Sequence, residues 1–230
     1  VASHTEDGSF IASDMVALLK YTKDYFVVPE EHIVVMKADS ITLYTMDGGV
    51  EEPKMLHVDW DTTAAQKGGY DFFMQKEIYD QPEALHNTIM PRIHNGHADF
   101  SADNISDDIF KGVNRVIVTA CGTAWHAGLV GRHLIEAMIR IPVTVELASE
   151  FRYMNPILDE HTLVVVITQS GETADSLAAL REAKNHGVKT LAIVNVVGSS
   201  IAREADYVFY TLGGPEISVA TTKAYSAQLI

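Results

Sequence analysis

At 230 residues, 47% of them hydrophobic, the chain is long enough to bury one large core or two smaller ones, which excludes disorder. Lys+Arg of 17 against Asp+Glu of 31 give a formal net charge of −14, which repels nucleic-acid backbones and anionic membranes, so an anionic ligand needs local neutralisation. The single cysteine, Cys121, excludes an internal disulfide framework and fits a reducing cytoplasm, and no apolar run reaches the roughly 20 residues that span a bilayer.

The chain opens at Val1 and closes within the apolar-periodic "AYSAQLI", so both ends read as cut. Before residue 60, "FIAS", "HIVVM" and "ITLYT" are short β-branched runs separated by "KADS" and closed by the tight-turn signal "MDGG". This is antiparallel β character, with one short helix expected over "DMVALLKYT". Residues 61–75, polar and carrying Gly68 and Gly69, read as a linker. In "FFMQKEIYDQPEALHNTIM", Pro82 predicts a new helix start or a kink.

From Arg115 onward strands and helices alternate. "RVIVTAC" is an apolar run ending before Gly122, and the helix after it carries Val130, Leu134, Ile135 and Met138 at helical spacing until Pro142. "VTVEL", "TLVVVI", "TLAIV" and "YVFYT" are further strands, separated by helices over "ASEFRYM", "ADSLAALREAKNH" and "SIAREA", with Gly187 as a C-cap. Continuous aliphatic strands joined by helices predict an α/β fold with a doubly wound parallel sheet, whose ligands bind at the carboxyl ends of the strands.

One such end is "TQSGET". Thr168, Gln169, Ser170 and Thr173 offer donors, Gly171 permits a tight turn, and a helix begins at about Ala174. A helix N-terminus carries unpaired N–H groups and a partial positive charge, so these residues can hold a phosphate without a lysine. Thr173 as an ordinary N-cap and Ser170 as a solvated turn residue explain the same residue types, and spacing alone leaves both readings open. "VTACGTAWHAG" repeats the arrangement, with Thr123 at the helix start, and two such loops make a shared crevice. Neither has the spacing of a dinucleotide site or the lysine of a nucleotide-hydrolase phosphate loop, so no nucleotide or nicotinamide cofactor is expected.

"ACGTAWHAG", "ELASEFRY", "ITQSGETADSLAAL", "NVVGSSIAREAD" and "EISVATTKAYSAQL", in this order, resemble the first sugar-isomerase (SIS) subdomain of the isomerising glutamine:fructose-6-phosphate aminotransferases. "FMQKEIYDQPEAL" resembles the opening of that family's synthase domain, and "FIASDMVALLKYTKDYFVV" the end of its glutaminase domain. The resemblance implies a flavodoxin-like SIS fold over 76–230, preceded at 1–60 by the β-rich tail of an Ntn-hydrolase-type glutaminase domain. It also implies a cytoplasmic homodimer, a place in amino-sugar and UDP-GlcNAc biosynthesis, and fructose 6-phosphate or glucosamine 6-phosphate as ligand. Thr168, Gln169, Ser170 and Thr173 are implied as phosphate contacts, Thr123 and the backbone at Val219 as sugar contacts. Ala124 stands where some members carry serine, and Thr168 where others do.

The family's Schiff-base lysine and its ring-opening glutamate and histidine belong to a second SIS subdomain, and the N-terminal glutaminase cysteine is not Val1, so no catalytic residue is expected here. Lys223 is read as structural or hydrogen-bonding, Cys121 as packing, and Glu172 as orienting its loop or favouring the helix N-terminus, with the carboxylate turned from the phosphate. A non-catalytic SIS module sensing a phosphosugar is the alternative; residues 1–60 favour the enzyme. His94 and His97 lack the third and fourth partners of a metal site, and no metal or cofactor is expected. His126 and His133 share a helix face, one of them read as partly buried. Trp60 and Trp125 lack basic neighbours for stacking on nucleic acid, and Gly128 and Gly131 suggest close helix packing, with a subunit contact as one place for it.

Overall fold

The computed structural model describes residues 1–13, 15–58 and 66–230, so Trp60 and residues 61–65 of the expected linker lie outside the described residues. The chain divides into two compact units, Val1–Asp71 and Phe72–Ile230.

The first unit is built from short antiparallel strands. β1 (Ala2–Thr5) pairs with β2 (Gly8–Ile11), and β3 (Asp24–Tyr25) with β7 (Leu56–His57). β4 (His32–Lys37) and β5 (Ser40–Thr45) form a hairpin across Ala38 and Asp39, and β6 (Val50–Glu51) adds to β5. The expected helix over "DMVALLKYT" is replaced by a 3-10 turn, Met15–Ala17, and its first residue, Asp14, lies outside the described residues. Met15, Leu18 and Leu19 are buried with Tyr25 and Val58, and Tyr21 stacks on Phe10 with ring centroids 4.4 Å apart. Core contacts thus satisfy the apolar spacing, and so short a segment has too few internal bonds to hold a helix by itself.

The second unit begins with α1 (Phe73–Tyr79) and α2 (Gln81–Ile89), where Pro82 lies in the first turn of a new helix. A small hairpin follows, β8 (Ile93–His94) with β9 (His97–Ala98). Then come β10 (Arg115–Ala120), α3 (Gly122–Ile139), β11 (Val143–Leu147), α4 (Ala148–Phe151), β12 (Thr162–Thr168), α5 (Ala174–Asn185), β13 (Lys189–Val194), α6 (Ser200–Glu204), β14 (Tyr207–Tyr210) and α7 (Lys223–Leu229).

These strands form one parallel sheet in the order β11-β10-β12-β13-β14. All seven residues of β12 are buried, as its unbroken aliphatic run requires. One face packs Val164, Val166 and Val194 against Phe151, Ala179, Leu180 and Ile201; the other packs Val116, Val118 and Val165 against Ala124, Trp125 and Ile109. Chain order reverses between β10 and β12, so α3 leads away to one side and α5 to the other. In a doubly wound sheet this reversal opens a crevice beyond the strand ends.

α3 approaches the sheet through Gly128, where an added Cβ would lie 2.8 Å from Val118 Cγ1. Gly131 meets open space within this chain. The buried stripe of α3 is Ala124, Ala127 and Gly128 with Ile135 packed alongside, while Val130, Leu134 and Met138 face outward. Helical spacing located the helix, but small residues mark the face that sits on the sheet. His126 and His133 are both exposed, contrary to the expectation that one packs inward.

α5 and α6 are pinned by Arg181, which donates to Glu204 through Nε at 2.9 Å and Nη2 at 2.7 Å. These hydrogen bonds hold the Glu204 carboxyl below its ordinary range. A carboxyl lowered in the folded state contributes stability above its unfolded value of about 4.3 and loses it as pH falls through the folded value. Denaturant titrations from pH 6 to pH 3 are expected to show part of the acid-side loss, and Arg181→Gln to remove that part.

Candidate functional site

The loops after β10 and β12 enclose one cavity of about 190 Å³ at the reversal point. The first loop supplies Cys121, Thr123 and Ala124; the second supplies Thr168, Gln169, Ser170, Thr173 and Ser176. Thr221 and Gln228, from the C-terminal segment, complete the wall. Every lining side chain is neutral, and six carry hydroxyls.

Gly171 gives the second loop its shape. Its φ of +70 is left-handed, and an added Cβ would lie 2.0 Å from Ser199 Oγ and 3.0 Å from Val194 Cγ2. The loop is tied down from behind. Its carbonyls at Gln169 and Gly171 accept from Asn195 N–H at 3.2 Å and Ile201 N–H at 3.0 Å. The Glu172 carboxylate accepts the Ser200 N–H at 2.8 Å, so it serves the N-terminus of α6 and is not among the lining residues. Thr168 Oγ1 accepts the Gly171 N–H, and Ser170 Oγ the Glu172 N–H, each at 3.2 Å. Each hydroxyl has one hydrogen, and accepting from the backbone leaves that hydrogen to donate into the cavity.

Two helix N-termini open here. α5 has Thr173 at its N-cap and α3 has Cys121, and neither side chain closes its cap with a hydrogen bond. Thr173 therefore occupies the cap position without performing the cap with its hydroxyl, which sharpens the two readings left open by sequence. First-turn amides and the partial positive charge of each helix favour an anion there. Asp175 in the first turn of α5 would oppose one, but Arg152 donates to it at 2.7 Å and offsets its charge. Cys121 Sγ accepts a hydrogen bond from Ser176 Oγ at 3.7 Å, and no ionisable base shares the cavity wall with it.

A carboxylate scaffold carries the third segment. Glu216 accepts from Thr221 Oγ1 at 2.6 Å, Thr222 N–H at 2.8 Å and Ala224 N–H at 3.2 Å. Buried Glu77, from α1, accepts the Ile217 and Ser218 N–H groups at 2.6 and 3.1 Å. Lys223 is buried, its Nζ 3.3 Å from Asp80, which also pairs with Lys76; it is an ion-pairing residue outside the cavity wall, as its structural reading anticipated.

Of the residues expected at the site, Thr123, Thr168, Gln169, Ser170 and Thr173 converge on the cavity. The Val219 side chain is fully exposed and stands outside the wall, while Thr221, two residues on, lines it. Thr221, Ser176 and Gln228 carry no local signature, because the fold brings them in from other segments. Among the described residues, no three His, Cys, Asp or Glu side chains gather as a metal site, and no helix is long and apolar enough to cross a membrane.

The SIS domain family model matches residues 109–230, more than half of the chain and all of the cavity wall. The chain belongs to the SIS domain family. Over 98% of its length it is 49% identical to a glutamine–fructose-6-phosphate aminotransferase (isomerising) of Clostridium acetobutylicum, and over 98% it is 51% identical to that of Clostridium tetani. It spans 37% of the length of each. Among solved structures, the C-terminal domain of the glucosamine-fructose-6-phosphate aminotransferase from Francisella tularensis superposes with a TM-score of 0.69 at 41% identity, covering 71% of this chain and 46% of that one. The five-stranded parallel sheet is thus that of an SIS domain.

Proposed function

We propose that the cavity is the phosphate end of a fructose 6-phosphate or glucosamine 6-phosphate site. The chain is then part of an isomerising, glutamine-dependent aminotransferase that converts fructose 6-phosphate and glutamine to glucosamine 6-phosphate and glutamate. The observation that carries the reading is the meeting of two helix N-termini with six hydroxyl-bearing side chains in a cavity of neutral residues. A dianion there is held by oriented dipoles and hydroxyl donors, which need no lysine and tolerate the net charge of −14. The relatives' names supply the reaction. The β-rich first unit is, on the same reading, the end of a glutaminase domain, and the parent assembles as a homodimer.

Within this chain the residues bind and orient. Thr168, Ser170 and Thr173 hold the phosphate, while Thr123, Thr221 and the backbone near Val219 face the sugar. The Schiff-base lysine, ring-opening acid and glutaminase cysteine of the reaction lie elsewhere in the parent. Calorimetry with fructose 6-phosphate is expected to show binding that Thr168→Val and Ser170→Ala each weaken about tenfold, the loss of one hydrogen bond to a charged acceptor. Unchanged affinity in both variants would refute the site.

Glu172→Gln is expected to leave the salt dependence of phosphate affinity as it is; a large tightening would place the carboxylate on the ligand. Incubated with fructose 6-phosphate and glutamine, the 230-residue chain is expected to form no glucosamine 6-phosphate and no glutamate, checked by chromatography of the products.

A further inference from the structure

A phosphate only accepts hydrogen bonds, but the carbon skeleton it esterifies carries hydroxyls that must donate. Most of the cavity wall is suited to the phosphate. Thr168 and Ser170 already use lone pairs on the Gly171 and Glu172 N–H groups, so each presents its hydrogen. Gln228, on α7, differs: its Oε1 is shut off from solvent and has no hydrogen-bond partner among the described residues. A buried amide oxygen without a donor is costly, and the great majority of such oxygens are paired.

Gln228 borders two hollows. One is the polar cavity; the other is a groove of about 450 Å³ walled by Ile89, Phe100, Ile193 and Phe209. The two threonine hydroxyls of that groove are already donated, Thr88 to the Ala84 carbonyl at 2.7 Å and Thr211 to Asn195 Oδ1 at 3.1 Å. Arg92, also in that groove, donates to Asp103 and to the Thr88 and Tyr210 carbonyls, so the polar cavity is the side from which a ligand hydroxyl would supply the donor that Gln228 lacks.

We propose that Gln228 Oε1 accepts a hydroxyl of the bound sugar, making it the residue that separates a polyhydroxylated phosphate ester from phosphate itself. The inference rests on the sugar-phosphate reading above and adds a specificity determinant to it. The unpaired oxygen sits on a segment remote in sequence from both phosphate loops, so the two halves of the ligand are read by different elements.

The test measures affinities of the 230-residue chain and of its Gln228→Met variant for fructose 6-phosphate and for inorganic phosphate. Methionine keeps the length and helix preference of glutamine and removes the acceptor. The expected result is that the ratio of the two affinities, sugar phosphate over phosphate, falls about tenfold in the variant, the loss of one buried hydrogen bond. An unchanged ratio overturns the assignment, whether both affinities persist or both fall together. If the unaltered chain binds both ligands equally, Gln228 reads no hydroxyl although the phosphate site stands. If it binds neither, the sugar-phosphate reading itself fails, and this assignment with it.

Discussion

Gly171→Ala is expected to abolish measurable fructose 6-phosphate binding while leaving the sheet folded. A side chain at a φ of +70 costs about 1–2 kcal/mol in the left-handed region, and the space a Cβ would take is filled by Ser199 Oγ at 2.0 Å and Val194. Relief of that clash requires the loop to shift or α6 to retreat. Together with overpacking, the expected destabilisation is about 2–4 kcal/mol. Thr168, Ser170 and the first turn of α5 lie on either side of Gly171, so the shift misplaces several donors at once. Losing two charge-assisted hydrogen bonds weakens binding by on the order of 100-fold or more. Circular dichroism distinguishes a loop defect from unfolding; binding equal to that of the unaltered chain would show that the loop shape is not what the ligand reads.

Glu216→Ala has the second large effect. One carboxylate holds the Thr221 hydroxyl and the Thr222 and Ala224 N–H groups, so its removal strands donors at the start of α7 and releases a cavity-lining threonine. The expected cost is about 2–3 kcal/mol, since hydrogen bonds to a charged group contribute about 1.5–3 kcal/mol each and solvent partly replaces them here. Affinity for fructose 6-phosphate falls more than affinity for inorganic phosphate, because Thr221 stands on a different segment from the phosphate loops. Denaturant unfolding and calorimetry with both ligands check the two statements. Equal losses for both ligands would mean that Glu216 supports the whole domain and not this segment.

The doubly wound sheet was legible because its strands are unbroken aliphatic runs, and β12, buried along its entire length, is the plainest of them. The two cavity-lining loops were legible for a related reason: a strand of that kind must end, and "TQSGET" and "CGT" end it with hydroxyls and glycine at helix starts. Glu172 has a partner that its local sequence does not announce, since its carboxylate accepts the Ser200 N–H of α6, a helix that only the tertiary fold places there. Thr221, Ser176 and Gln228 were not legible. Their side chains join the cavity through sheet order and the packing of α7, and nothing in their immediate sequence distinguishes them from surface polar residues.

The scaffold beneath the third segment was hidden for the same reason. Glu77, Asp80 and Lys223 look like solvated helix charges by type, yet Glu77 and Lys223 are buried, Glu77 holding the Ile217 and Ser218 N–H groups and Lys223 pairing with Asp80. α3 misleads in the opposite direction. Its large apolar residues Val130, Leu134 and Met138 carry the periodic signal but face outward, while Ala124, Ala127 and Gly128 let the helix lie close to the sheet. In the first unit, the apolar spacing of "MVALLKYT" reports burial of Met15, Leu18 and Leu19 in a β-rich core, not helix.

The most direct measurement is a titration of the isotopically labelled chain with fructose 6-phosphate, following backbone amide chemical shifts. The expected result is a saturable set of shifts centred on Gly122–Ala124, Gln169–Ser176 and Thr221, with Thr168→Val weakening the titration and the shifts keeping their location. Shifts confined to the apolar groove around Phe100 and Phe209, or none at concentrations that saturate other phosphate-ester sites, would contradict the placement of the ligand between the ends of β10 and β12.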